Sequence, residues 1–338
     1  MAQIMERGRL TRTIKTARRD GTIPDLSGAD LSGLDLSGLD LRGVNLSQAN
    51  LAGTKLDQSS LLRADLSRAD LRGTSFTKAY LHGVKIDKAN LSHINLSGEI
   101  LDTASLVEAD LSEANLNRAC LRWIKFEQAK LVGADLSESN LYQASLSRAN
   151  LSQTDLHRAN LTGAILSEAN LHRANLTGAA LQEANLHGSD LSQADLSQAQ
   201  LVGANLTGAN LEGARLYKAN LSRADLSGVK LNTAAKLIKV NLSQADLRRA
   251  DLRGLDLTHL DLNRANLGEA NLQDATISEE QLSRLKNLDG AIMPDGTKYV
   301  APKTPSGQPV RASGKQRATA SGLAASLARI KGKNPPGE

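Results

Sequence analysis

Residues 26–51 read LSGADLSGLDLSGLDLRGVNLSQANL, and their period of five decides the fold. From Leu26 to Leu231 every fifth residue is apolar, 42 consecutive centres, all Leu except Phe76, Ile86 and Phe126. After one inserted residue the beat resumes at Leu237 and runs through Leu272 to Ile277. Ala29-Asp30-Leu31-Ser32-Gly33 is a typical unit. Five matches neither the turn of a helix nor the alternation of a strand. In an extended segment Ala29 and Leu31 share a side, but a flat strand would then turn the next Leu to the opposite face. All the leucines share one core only if the chain bends once per pentad, and the Ser-Gly or Arg-Gly that follows many of them suits a corner. The chain must therefore coil, with Leu and Ala inward, three residues per pentad outward, and coils stacked at about 4.8 Å.

The spacing by itself leaves the number of sides open. The motif A-[D/N]-L-x-x, held in register through residues 25–277, resembles that of the pentapeptide-repeat family. The resemblance implies an all-β solenoid, a right-handed quadrilateral parallel β-helix with roughly 20 residues per coil, about 12–13 coils and a rod roughly 60 Å long. One internal pattern agrees with four sides. The oversized residues Val44, Val84 and Ile124 at the Ala position fall 40 apart, with Ala64 and Ala104 between them.

Proline and charge set the boundaries. All seven prolines lie outside residues 25–293, as expected of a stretch whose backbone donors are engaged in ladders. Residues 1–24 form a basic N-terminal cap and 25–277 the β-helix. Residues 278–296 form the C-terminal cap, where Ser278-Glu279-Glu280-Gln281 reads as a capping box opening a short helix with Leu282, Leu285 and Leu288. Asp289-Gly290-Ala291-Ile292-Met293-Pro294-Asp295-Gly296 resembles the ending of many family members, especially cyanobacterial ones. Residues 297–338 are expected to be a basic, largely disordered tail. The ends, 1–24 and 298–338, carry a net +11, which leaves −6 on residues 25–297. The single Cys120 excludes an internal disulfide and fits a reducing, cytoplasmic setting. No stretch approaches the roughly 18 apolar residues of a membrane span, and the N-terminus lacks the apolar core of a secretory signal.

Chemistry is sparse. His157, His172 and His187 are 15 apart, so they fall on different faces, and no convergent ligand set for a metal is visible. No phosphate-binding loop or nucleophile motif is present, so neither an enzyme nor a cofactor is expected. The informative positions are those that break the lattice. The column preceding the centres runs Asp40, Ser60, Tyr80, Ile100, Cys120, Asn140, Asn160. Its middle is apolar where Asp or Asn is expected. With Arg122, Trp123 and Tyr142 beside it and His82 flanking, Tyr80, Ile100 and Cys120 make a candidate partner-binding patch, rich in the residue types that anchor interfaces. Glu99, at an inward Ala position, predicts a local bulge that swings it outward and turns Ile100 inward. The insertion at Asn232-Thr233-Ala234-Ala235 reads as a corner bulge.

The expected function is a rigid, non-enzymatic scaffold binding an unidentified protein, with a second copy of the chain as one candidate partner. Family members that mimic DNA and bind DNA gyrase offer an alternative. Mimicry requires about one negative charge per 1.7 Å, whereas Lys55, Lys85, Lys125, Lys130, Arg215 and Lys230 interrupt the acidic positions. A third possibility assigns binding of nucleic acid or anionic membrane to the basic tails and not to the rod.

Overall fold

The computed structural model describes residues 6–231 and 235–300. The regular unit is a corner of two turn residues after each central Leu, followed by a single bridging residue before the next. Bridges are parallel and join residues 20 apart, as in Asp25 to Asn45, Asp30 to Asn50, Asp35 to Lys55 and Asp40 to Ser60. Four pentads thus complete one coil. The four columns are called here the Asp25, Asp30, Asp35 and Asp40 faces.

Each pentad bonds its neighbour through three backbone contacts. Leu26 N donates to Asn45 O and Gly28 N to Ser47 O, both at 2.8 Å, and Asn45 N donates to Pro24 O at 2.9 Å. The corner is closed by Ala29 N to Leu26 O at 3.2 Å. Its second residue has φ near +60°, whether it is Gly28 at 64° or Gln48 at 60°. That conformation favours glycine, yet Gln, Arg, Glu and Lys occupy it repeatedly, held there by the ladders on either side.

The Asp/Asn preference has a local cause. The side-chain oxygen accepts the N–H two residues on, as in Ser27 N to Asp25 at 3.0 Å and Ser47 N to Asn45 at 3.0 Å, an Asx turn that braces the corner. Asparagines also donate down the column, Asn45 Nδ2 to Asp25 at 2.9 Å and Asn50 Nδ2 to Asp30 at 3.0 Å. At three corners where the upper pentad lacks that oxygen, an Asp one residue after the centre in the coil below supplies it. Asp57 accepts from Thr77 N above Ser75, Asp87 from Val107 N above Ser105, and Asp102 from Arg122 N, next to Cys120.

Leu, Ala and the occasional Val, Ile or Phe form one continuous buried column. Val44, Val84 and Ile124 are fully enclosed. α1 (Arg7–Arg19) lies at the start of the column and adds Leu10 and Ile14 to it. Arg7 donates to the carbonyls of Asp35 and Ser37, and Arg18 binds both carboxylate oxygens of Asp40. At the far end α2 (Glu279–Arg284) starts with a capping box between Ser278 and Gln281. Gln281 Nε2 donates to Leu257 O and Leu260 O, so the helix satisfies carbonyls of the last coils. The helix is shorter than expected: Leu285 is its extended C-cap and Leu288 lies beyond it, before the turn at Asp289-Gly290, while Ile292 pairs antiparallel with Lys298.

Among the described residues before the insertion, the ladder parts in one place. No bridge joins Ser75 to Asn95 or Tyr80 to Ile100, although both neighbouring faces are paired. Glu99 accounts for part of this gap. The expected bulge is absent: Glu99 N closes its corner on Leu96 O, Cys120 N donates to Glu99 O, and Ile100 stays outward, 54% exposed. The carboxylate is half-buried and accepts Lys78 N at 3.1 Å, so the charge is satisfied without shifting the phase of the chain. Bridges that span the insertion join residues 21 apart, as in Arg215 to Lys236 and Asn220 to Asn241, and beyond it the spacing returns to 20, as in Asn241 to Asp261. Residues 232–234, which carry most of the insertion, lie outside the described residues, as do 301–338 of the tail.

Candidate functional site

The lattice-breaking side chains of the Asp40 face are arranged in two groups. Ile100 and Cys120 bridge one another directly, and Cys120 bridges Asn140 in the next coil. At the adjoining corner Trp123 and Tyr142 pack edge to face, with ring centroids 6.0 Å apart at 85°, a favoured aromatic geometry. The Arg122 guanidinium lies 5.4 Å from the Trp123 ring centre, within cation–π range. Tyr80 sits one coil below Ile100, 63% exposed, on the far side of the parted ladder.

The cluster is held rigidly. Asp102 is buried and accepts Arg122 N at 2.9 Å, Nε at 3.0 Å and Nη2 at 2.5 Å. These bonds to the carboxylate raise the pKa of Arg122, so it is cationic at any working pH. Trp123 Nε1 donates to Gln143 Oε1 at 2.9 Å. Its ring is therefore presented to solvent, 45% exposed, with no unmet donor. Trp123 occupies the corner position with φ 55°, where an L residue costs roughly 1–2 kcal/mol relative to the right-handed region. His82, Arg42, Leu62 and Arg63 line an open groove at the same corner, nearer the N-terminus. Arg42 and Arg18 both bind Asp40 and hold its carboxyl well below the usual carboxylate range.

Among the described residues no group of three or more His, Cys, Asp or Glu could hold a metal. His157 contacts Asp155 and His172 contacts Ser192, each within its own face. An apolar cavity of about 20 Å³ lies in the core beside the insertion, lined by leucines and Val240. It offers no polar partner and has no use for a water or polar ligand. No helix among the described residues is long and apolar enough to cross a membrane.

Exposed Ile165, Tyr217 and Ile238 lie outside the patch and are not among the candidates that the sequence singles out. Ile165 was legible, because it occupies a bridging position on the Asp25 face where Asp or Asn is the rule.

The family model for pentapeptide repeats matches residues 25–232 and 235–274, in eight copies. The chain belongs to the pentapeptide-repeat family. Its fold is accordingly a right-handed β-helix. Among solved structures, HetL, a protein involved in heterocyst differentiation regulation from the cyanobacterium Nostoc sp. strain PCC 7120, is 35% identical. That match covers 64% of this chain and 92% of HetL, with a TM-score of 0.36. QnrB1, a plasmid-mediated fluoroquinolone resistance protein, is 21% identical over 75% of this chain and 93% of its own, with a TM-score of 0.20. Rfr23 from the cyanobacterium Cyanothece 51142 is 26% identical over 45% of this chain and 90% of its own, with a TM-score of 0.16. No curated protein matches the chain.

Proposed function

We propose that this pentapeptide-repeat protein is a non-enzymatic binding rod that engages a protein partner through the Tyr80–Tyr142 region of the Asp40 face. The observation that carries this reading is the Arg122–Trp123–Tyr142 cluster. Its three side chains are fixed by Asp102, by Gln143 and by each other before any partner arrives. A pre-ordered aromatic and Arg anchor loses little side-chain entropy on binding, and such residues dominate interface energetics. Ile100 and Cys120 extend the apolar area along the same face.

DNA mimicry is a weaker reading because the cations are stacked onto the acids. Lys85 lies 3.7 Å from Asp65, Lys130 3.7 Å from Asp110 and Arg215 3.5 Å from Asp195. These columns neutralise themselves in place of presenting a phosphate-like run. The test is affinity capture with the full chain, wild type against Trp123→Ala/Tyr142→Ala, with equal thermal stability as the control. Partners that bind the wild type and vanish from the double variant support the reading; an unchanged set of partners sinks the site.

A further inference from the structure

The Asp40 face carries a property that extends well beyond the aromatic cluster. Its bridging residues from Ser60 to Asn241 are uncharged without exception: Ser, Tyr, Ile, Cys, Asn, Asn, Ala, Gln, Asn, Asn. On the other three faces about half the equivalent positions are charged, and the longest uncharged run is four, Ser145 to Asn205. Charge returns at Asp40 and Asp261, on the two sides of the strip. Ten coils at the strand spacing make this strip roughly 43 Å long. Depletion of charge is the compositional mark of an interface core. The polar groups on the strip partly satisfy one another, Asn160 Nδ2 donating to Asn140 at 3.2 Å and Asn220 Nδ2 to Gln200 at 3.4 Å. Covering the strip therefore strands few donors.

We infer that the occupant is a second copy of this chain, docked antiparallel on the same face. The inference rests on the reading of this face as an interface and supplies its partner. Bulk is distributed unevenly along the strip. Tyr80, Ile100, Trp123 and Tyr142 crowd one half, while Gly163, Ala180 and Gly203 lie in the other. A two-fold axis across the rod between the Asn140 and Asn160 coils lays the crowded half of each copy on the sparse half of the other. Such an isologous contact is closed and self-complementary. In that register Cys120 meets Ala180, Gln143 meets Gly163, Arg118 meets Gly178 and Thr103 meets Gly203. Glu138 meets Arg158, an opposite-charge pair at the rim. Lys78 and Lys218, the one like-charge facing, lie at the outer corner where both ammonium groups reach water. A parallel pairing would set bulky side chains against bulky ones and is disfavoured by shape alone.

The test uses the full chain at micromolar concentration. Sedimentation should give twice the 35.9 kDa chain mass, with little change between low and high salt. Asn160→Arg, an outward change at the dyad, should reduce the mass to that of one chain while circular dichroism stays unchanged. Register is tested by Ala180→Cys under mild oxidation, which should yield a disulfide-linked dimer through Cys120. Adding Cys120→Ser should abolish that product, because residues 120 and 180 of one chain are three coils apart, roughly 14 Å, too far for an internal bond. A single-chain mass throughout, or a dimer indifferent to Asn160→Arg, overturns the inference. A monomer that still loses a captured partner in Trp123→Ala/Tyr142→Ala would discard the second copy and keep the face.

Discussion

The substitution of one acceptor for another between stacked coils makes a quantitative prediction. Asp87 accepts Val107 N at 3.0 Å and the Ser105 hydroxyl at 2.5 Å from the coil above. Ser105 occupies the bridging position where an Asp or Asn would have braced the same corner. Asp87→Ala removes both bonds. A hydrogen bond to a charged group contributes about 1.5–3 kcal/mol when well shielded and about 1 kcal/mol when water competes. Asp87 is half-buried, so a loss of about 1–2 kcal/mol is expected, a fall in Tm of about 1.5–3 °C for a chain of this size. Ser105→Asn restores a local acceptor for Val107 N, and it should recover about 1 kcal/mol in the Asp87→Ala background while changing little in the wild type. The coupling in this double-mutant cycle is the readout, followed by far-UV circular dichroism during thermal unfolding. Independent effects of the two substitutions would refute the idea that Asp87 replaces a missing Asx turn.

Two further outcomes are expected. Trp123→Gly relieves a left-handed L residue and should leave Tm unchanged or slightly raised while abolishing partner binding. A large fall in Tm would mean that Trp123 serves the fold and not an interface. The docking of α1 should depend on pH through Asp40. Its pKa is lowered from 3.8, chiefly by the Arg42 hydrogen bond and then by Arg18, so its contribution is complete above that ordinary value and is lost as pH falls toward the depressed one. The methyl resonances of Leu10 and Ile14 should therefore be constant from neutral pH to about pH 4 and broaden only below it. Release of the helix between pH 7 and 5 would assign the contact to another group.

Much of the fold is legible in the sequence because the period of five is strict. One residue of slippage would invert inside and outside, so Leu26 to Leu231 assign nearly every side chain without any structure. The same lattice exposes Tyr80, Ile100, Cys120, Trp123 and Tyr142 as departures, and Ile165 is a departure of the same kind on the Asp25 face. The Glu99 carboxylate at an inward position suggests a displaced backbone, yet a single side-chain bond to Lys78 N satisfies it in place.

The amino-acid sequence alone determines that this chain coils and which residues face inward, because one repeated local geometry is imposed on every pentad. Tertiary structure decides what the stacked coils share. Asp102 fixes Arg122 and Asp87 serves Val107 only because residues 20 positions apart are brought within one hydrogen bond. The orientation of Trp123 against Tyr142, and the parting of the ladder beside Glu99, depend on contacts between coils that no single pentad encodes.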